Sequence, residues 1–493
     1  MTSCIQEDFK KIKKLDWNPE LAIPLASANY TLGDLLAQVP DQGLVTTDSE
    51  NIYTITYAGE LYEIVGSDLV DLIDIPYAFP DTAIEIPFPS INGNIIQKLV
   101  FKSGQLDYDI SLVSQEDVTV VLTILDATDP DGNVFEKRSK SLIQVIQCYK
   151  VAGSFDLTDH TFNFPLDSLN NGLFRMNYQA FTTATSQSVE PVIFTGKFKN
   201  LAFKYLEGYF GYQQIGFQID TIFPTIFDPW KSGTLYIDDP RISVFFLNSI
   251  GLPIQGSLSN VSFSQGQQVF QLTGSIFQDS ILIGFPGIDS AGWVESTELV
   301  IDRTNSNIRN GVAISPKAMT FAMDLFASAD PDLTELNFAY DTSRLKVNYE
   351  LELPLAFRLD QVRVRDTFGL EGQQFENIDY VDFLIISENG LPFTIDLQGY
   401  FLDQNGTVLD SILEDEAEIL ISAVTNDRGF LSQPVSHTVE IRIDGDKLDA
   451  ISQTKYLALV AEVSTPENAQ KTIRLTPQNF ISLKVSAKTG INP

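Results

Sequence analysis

The first side chain in this 493-residue sequence that is placed to do chemistry is the thiol of Cys4. Met1-Thr2-Ser3-Cys4 has the form of the end of a lipobox: a large apolar residue, two small residues, then the cysteine that receives the lipid. A secretory signal also carries a basic part and an apolar stretch of about 7–15 residues ahead of its cleavage site. Neither precedes Cys4 here, so the reading expects either a longer signal upstream of Met1 or a trimmed chain. Two buried acyl chains suffice for stable attachment, at about 0.8 kcal/mol per methylene. Residues 1–14 would then be a tether, and Lys10, Lys11, Lys13 and Lys14 could meet anionic head groups at about 1 kcal/mol each.

The remaining inventory is poor in reaction centres. Histidine is the usual acid–base group near neutral pH, and the chain has 2. His160 lies in a loop-like Leu157-Thr158-Asp159-His160-Thr161, and His437 is expected to face solvent, opposite the valines of a strand through Val435 and Val439. Neither accompanies a Gly-x-Ser-x-Gly elbow, and the chain carries no phosphate loop and no dinucleotide fingerprint. The supply of His and Cys is too small for an ordinary zinc site. Carboxylates are plentiful, 65 Asp+Glu against 32 Lys+Arg, but nothing singles out a pair for glycoside hydrolysis. Asp126, Asp129, Asp131 and Asn133 are dense enough for calcium, yet Gly132 comes too early for an EF-hand loop, and a hairpin turn is the expected reading. No enzyme activity, cofactor or metal is expected. A formal net charge of −33 repels phosphate backbones, so nucleic acid is not an expected partner.

Aromatic residues offer a binding idea. Trp230 and Trp293 lie in loop-like contexts, and Tyr205, Tyr209, Phe210 and Tyr212 cluster around Gly208 and Gly211. Exposed, such rings suit carbohydrate; buried packing is the expectation for them. Cys148 lies in an apolar run and reads as core; with Cys4 lipidated it would have no partner for an intramolecular disulfide.

The elements that must carry these residues are mainly β. Period two dominates, as in Leu106–Leu112, Val118–Leu125 and Ala318–Phe326, where Met319, Phe321, Met323 and Leu325 share a face. The sequence predicts an elongated array of β-sandwich-like or long curled-sheet units with a few short helices. After the 1–14 tether comes a 15–95 N-terminal region, then β-rich units at 96–298 and 299–493. Within 15–95, Thr31 and Asp34 form a capping box that opens a short helix ended by Pro40. Ile52–Tyr57 and Leu61–Ile64 read as a hairpin turning at Gly59, and 74–94, rich in proline with Asn92-Gly93, as an extended connection. An internal repeat aligns Asn248–Leu258 with Ser387–Leu397 through their Gly-Leu-Pro turns, with a fainter copy at Ile110–Val118. Asp129–Asn133 and Asp403–Gly406 read as hairpin turns of two of these copies.

The chain resembles large, uncharacterised outer-membrane lipoproteins of Bacteroidota. The resemblance rests on Thr2-Ser3-Cys4, Trp17–Leu25, Tyr30–Leu36 and, more loosely, Asn248–Pro253 and Asn389–Pro392. It implies an outer-membrane location through a lipid on Cys4, on the surface or the periplasmic face. Acidic residues after the lipidated cysteine resemble a surface-export signal; Gln6-Glu7-Asp8 matches in part and the lysines dilute it. Three functions are expected in order: a non-enzymatic, lipid-anchored partner of other envelope proteins; a carbohydrate-binding or nutrient-capture surface lipoprotein; and a lipid carrier with an apolar groove.

Overall fold

In the computed structural model the described residues are 20–491 apart from 38–42, 71, 89–93, 115, 141–148, 213, 216–219, 225–226, 228–229, 328–335, 370–377, 414–416, 446 and 449–452. Cys4, Cys148, Trp17, Pro40 and Asn92-Gly93 therefore lie outside them. The fold is mainly β with a few short helices, as the period-two patterns predict. Every ladder among the described residues is antiparallel. Leu106, Tyr108, Ile110 and Leu112 are buried and alternate with half-buried neighbours, and Met319, Phe321, Met323 and Leu325 do the same.

One strand arrangement occurs three times. In the first unit, Ile95–Leu112 lies between Tyr149–Asp156 and Pro191–Tyr209, while Val118–Thr128 lies between Val134–Lys140 and Leu173–Thr182. In the second, Arg241–Asn248 lies between Glu295–Ile301 and Arg344–Pro354; Ile254–Gln265 lies between Gln268–Gln271 and Ala318–Ala327. In the third, Ile378–Asn389 lies between Val435–Asp444 and Phe480–Ile491; Thr394–Leu402 lies between Val408–Ser411 and Tyr456–Ser464. Each unit thus has two three-stranded ladders reached in the same chain order; in the first, Thr161–Asn163 pairs with both and joins them into one sheet. In the first unit the sheets face each other across rings: Tyr178 and Phe194 lie 5.5 Å apart, and Phe174 and Phe198 5.4 Å. The division expected at 298/299 falls inside the second of these arrangements.

Their sheets are widened by strands from the first 80 residues, in reverse order. Glu20–Thr31 pairs with Phe480–Ile491, Tyr53–Val65 with Arg344–Pro354, and Ile75–Phe79 with Pro191–Tyr209. The hairpin expected at Gly59 is not there: Tyr53–Val65 is one strand running straight through it. Gly59 is needed for close approach instead, because a Cβ there would sit 2.8 Å from the Tyr349 ring. The proline-rich stretch supplies sheet edges as well as connection: Pro76 and Pro87 occupy strands that pair on one side only, where a missing N–H is tolerated. The capping box forms as expected, with Thr31 N donating to Asp34 Oδ2 at 2.9 Å and Asp34 N to Thr31 Oγ1 at 3.2 Å.

The repeat is real in pairing but shifted in register. Asn248 and Asn389 are the equivalent residues, not Gly251 and Gly390. Asn248 stands opposite Leu345 and Glu295, and Asn389 opposite Ile481 and Val435. Each asparagine is fully buried, and each Oδ1 accepts the amide two residues on, Ile250 N at 2.9 Å and Leu391 N at 2.8 Å. Asn389 Nδ2 also donates to Phe393 O and Ile421 O. Truncating Asn389 to alanine leaves the buried Leu391 amide without its partner, at about 1–3 kcal/mol, and the part-buried Phe393 and Ile421 carbonyls without theirs, at less. Asn389→Ala should therefore lower stability by roughly 2–4 kcal/mol in urea unfolding. A loss below roughly 0.5 kcal/mol would show that the turn does not depend on it.

Candidate functional site

The residues singled out by chemistry are scattered. His160 is in a loop, its Nδ1 3.0 Å from Thr158 O and its ring edge-on to Phe135 at 4.6 Å. His437 is half-buried and shares its face with Val435 and Val439, because residues two apart in a strand point the same way; the expectation that it faces away from the valines is corrected. Asp126 is held by Arg175 through two contacts of 2.6 Å.

Asp129 caps a turn. Its Oδ1 accepts the amides of Asp131 at 3.0 Å and Asn133 at 2.8 Å, while Gly132, at φ +83, closes the hairpin. Asp403 repeats this with Asn405 N and Thr407 N, both at 2.8 Å, and Gly406 at φ +79. Asp48 and Asp167 build the same turn with Asn51 and Asn170 in the left-handed position. Each carboxylate serves the backbone beside it, as Asx residues do.

Of the aromatics, Phe210 is fully buried, and Tyr205 packs against Phe338 and Tyr340. Tyr212 and Trp293 are exposed, contrary to the packing expectation, Tyr212 stacked on Phe326 at 5.8 Å. Trp230 opens a strand rather than lying in a loop.

What sequence reasoning missed is a cleft of about 390 Å³ in the second unit. It forms where the strand Trp230–Ile237, the hairpin around Gln265 and Gln268, and the residues after the helix Ile308–Ala313 converge. Ser315 and Gln265 line it, while Ser315 Oγ and Gln265 Oε1 themselves are turned away from its open space, shut off from solvent and without a hydrogen-bond partner. Leaving one such group unsatisfied costs about 1–3 kcal/mol. Ser315 also has φ +52, the left-handed position after a helix where glycine is usual. Nothing in a Ser-Pro-Lys sequence marks that hydroxyl as special.

No family model matches the chain, and no curated protein matches it. Among solved structures, a predicted secreted protein of Parabacteroides distasonis is similar at 11% identity, over 96% of this chain and 99% of that one, with a TM-score of 0.29. The infectious bursal disease virus Gx strain is similar at 10% identity, over 82% and 75%, with a TM-score of 0.16. A predicted secreted protein of Eubacterium rectale is similar at 12% identity, over 55% and 69%, with a TM-score of 0.11. Scores this low carry no argument about fold or function.

The turn carboxylates have a pH signature. Accepting the Asn133 amide lowers the pKa of Asp129 below 3.8, and accepting the Thr407 amide does the same for Asp403. A depressed folded-state pKa gives stability that is present above the unfolded value and lost as pH falls through the folded one. Asp403→Asn keeps the accepting oxygen but removes the titration. Its thermal midpoint should therefore fall less steeply than the wild type's between about pH 4 and pH 2. Parallel curves would remove Asp403 from the acid limb.

Proposed function

We propose that the protein is a non-enzymatic envelope protein, held at the outer membrane by a lipid on Cys4, whose three units present a braced surface to other envelope proteins. The observation that carries this reading is the reverse-order pairing of the N-terminal strands. Glu20 stands opposite Gly490, so the chain leading from Cys4 enters the fold at the edge of the third unit. From there the same segment runs across the second unit to the first. A load on the anchor is thereby passed into the eleven paired positions between Glu20–Thr31 and Phe480–Ile491. From Cys4 to Glu20 the chain spans about 16 residues, enough to reach on the order of 50 Å from a bilayer when extended.

The lipid-carrier alternative asks for a continuous apolar groove. The cleft at Gln265 and Ser315 and the one between Asp81, Gln179 and Glu190 are lined largely by polar side chains, whereas the one at Phe245, Leu247 and Tyr349 is more apolar.

The test is detergent-phase partitioning of the chain expressed behind a lipoprotein export signal. Wild type should enter the detergent phase and incorporate labelled palmitate, and Cys4→Ala should do neither. Chemical cross-linking on cells followed by purification should then retain a defined envelope protein. Equal partitioning of wild type and Cys4→Ala would sink the anchor.

A further inference from the structure

An asparagine followed by glycine carries its own chemistry. The glycine nitrogen, with no Cβ beside it, can approach and attack the side-chain amide of the residue before it. The chain has five such pairs, at Asn92, Asn171, Asn310, Asn389 and Asn405, and the first lies outside the described residues. The fold shields three of the other four. Asn389 is fully buried, its amide fixed by bonds to Phe393 O, Ile421 O and Leu391 N. Gly172 is buried, where a Cβ would lie 2.4 Å from Ile96 O, and Asn171 Nδ2 is held by Asp167 Oδ2 at 2.9 Å. Asn310 is exposed, but Gly311 is buried in the helix Ile308–Ala313, its N–H turned back to Asn307 O and the side chains of Phe263 and Leu272 against it.

Asn405-Gly406 is different. It sits at the tip of the hairpin between Thr394–Leu402 and Val408–Ser411, with both residues exposed. A Cβ on Gly406 would meet nothing within 4 Å, so the space around the attacking nitrogen is open. The Asn405 amide reaches Asp403 Oδ2 only at 3.4 Å. Gly406 N–H donates to Asp403 O at 3.1 Å. A bond at an exposed loop tip opens at small cost, whereas freeing Asn389 means undoing buried structure.

We propose that Asn405 is a site of spontaneous covalent modification, passing through a cyclic imide to aspartate and isoaspartate. Gly406 N gives its proton to hydroxide and bonds to Asn405 Cγ. The Cγ–Nδ2 bond breaks, and ammonia leaves with a proton taken from water, which restores the hydroxide. A water then opens the imide. Cleavage between Gly406 N and Cγ gives aspartate; cleavage between Gly406 N and the Asn405 main-chain carbonyl leaves the chain running through the side chain, as isoaspartate. One water is consumed, one ammonia is released, and nothing is oxidised or reduced.

Both products act on the turn. Aspartate puts a second carboxylate beside Asp403, where the Asn405 amide had been a donor. Isoaspartate lengthens the backbone inside a turn closed by Asp403 N to Thr407 O at 3.0 Å and Thr407 N to Asp403 Oδ1 at 2.8 Å, so these bonds no longer close together. The strand it loosens, Val408–Ser411, ends its sheet and pairs on one side only. The inference goes beyond the envelope reading and does not depend on the lipid on Cys4.

The test is to age the full chain in mildly alkaline buffer at body temperature, digest it and follow the Asn-Gly peptides by mass spectrometry. Labelling with an isoaspartyl methyltransferase separates the two products. The Asn405 peptide should convert at least roughly tenfold faster than the Asn389 peptide, because only the second must wait for buried structure to open. In urea-unfolded chain the two should convert at similar rates, which assigns the difference to the fold. Asn405→Gln keeps an amide but needs a larger, slower ring, and should carry no methyl label at that peptide. If this variant folds poorly, the comparison of folded with unfolded wild type decides alone. The proposal is overturned if the Asn405 peptide stays intact while the unfolded chain converts, if the Asn171, Asn310 or Asn389 peptide converts first, or if Asn405→Gln gathers the same label.

Discussion

A sheet edge left open is a row of unpaired N–H and C=O groups, and covering such edges is the constraint on which this molecule depends. Each unit ends with a strand that pairs inward with its own central strand: Pro191–Tyr209, Arg344–Pro354 and Phe480–Ile491. The outer side of each is taken by a strand from the N-terminal region. Further along Pro191–Tyr209, Tyr205–Gly208 is covered by Asn337–Tyr340, from the second unit. The strand Ala356–Gly369 makes the corresponding link between the second and third units, pairing with Trp230–Ile237 on one side and Tyr456–Ser464 on the other. Edge covering is thus what joins the repeated units into one molecule.

The same constraint explains why the units are unequal in their cores. A single buried apolar cluster runs from Leu32 to Leu475 and takes in the first two units. The third unit has a separate small cluster of Val381, Ile441, Ile443 and Leu448. Beside that cluster, this unit leans on backbone pairing with Glu20–Thr31 and on buried polar anchors such as Asn389 and Asn479. Asn479 Nδ2 donates to Gly390 O at 2.7 Å, tying the last strand to the turn that Asn389 organises. Ion pairs along the second unit, Arg344 with Glu63 and Lys346 with Glu60, lie at the surface and add little.

What could be read in the sequence was local. The strands showed because alternation is written into neighbouring residues, as in Ala318–Ala327. The helix at Leu32 showed because Thr31 and Asp34 are three residues apart and cap each other. The turns at Asp129 and Asp403 showed because aspartate and glycine at fixed offsets close a hairpin. The pairing was not legible, since the partner of Glu20–Thr31 lies at the far end of the chain and no spacing encodes it. Gly59 misled for a related reason: a glycine that makes a turn and a glycine that admits a ring from a distant strand look alike until Tyr349 is in place. The repeat was visible through its Gly-Leu-Pro words, but the buried asparagines set its true register.

Three copies of one strand arrangement share the work of folding, and they differ in the chain that links their strands. The second unit places the helix Ile308–Ala313 between Glu295–Ile301 and Ala318–Ala327. The corresponding connection of the first unit instead contains the short strand Thr161–Asn163, which pairs with both Ile95–Leu112 and Val118–Thr128. That strand serves the fold. The helix packs its buried Ile308 and Val312 into the core, yet the chain leaving it carries Ser315 in a strained conformation with an unsatisfied hydroxyl. Stability alone would favour glycine at that position. Ser315 thus stands where glycine is usual, beside a cleft lined mainly by hydroxyls and amides.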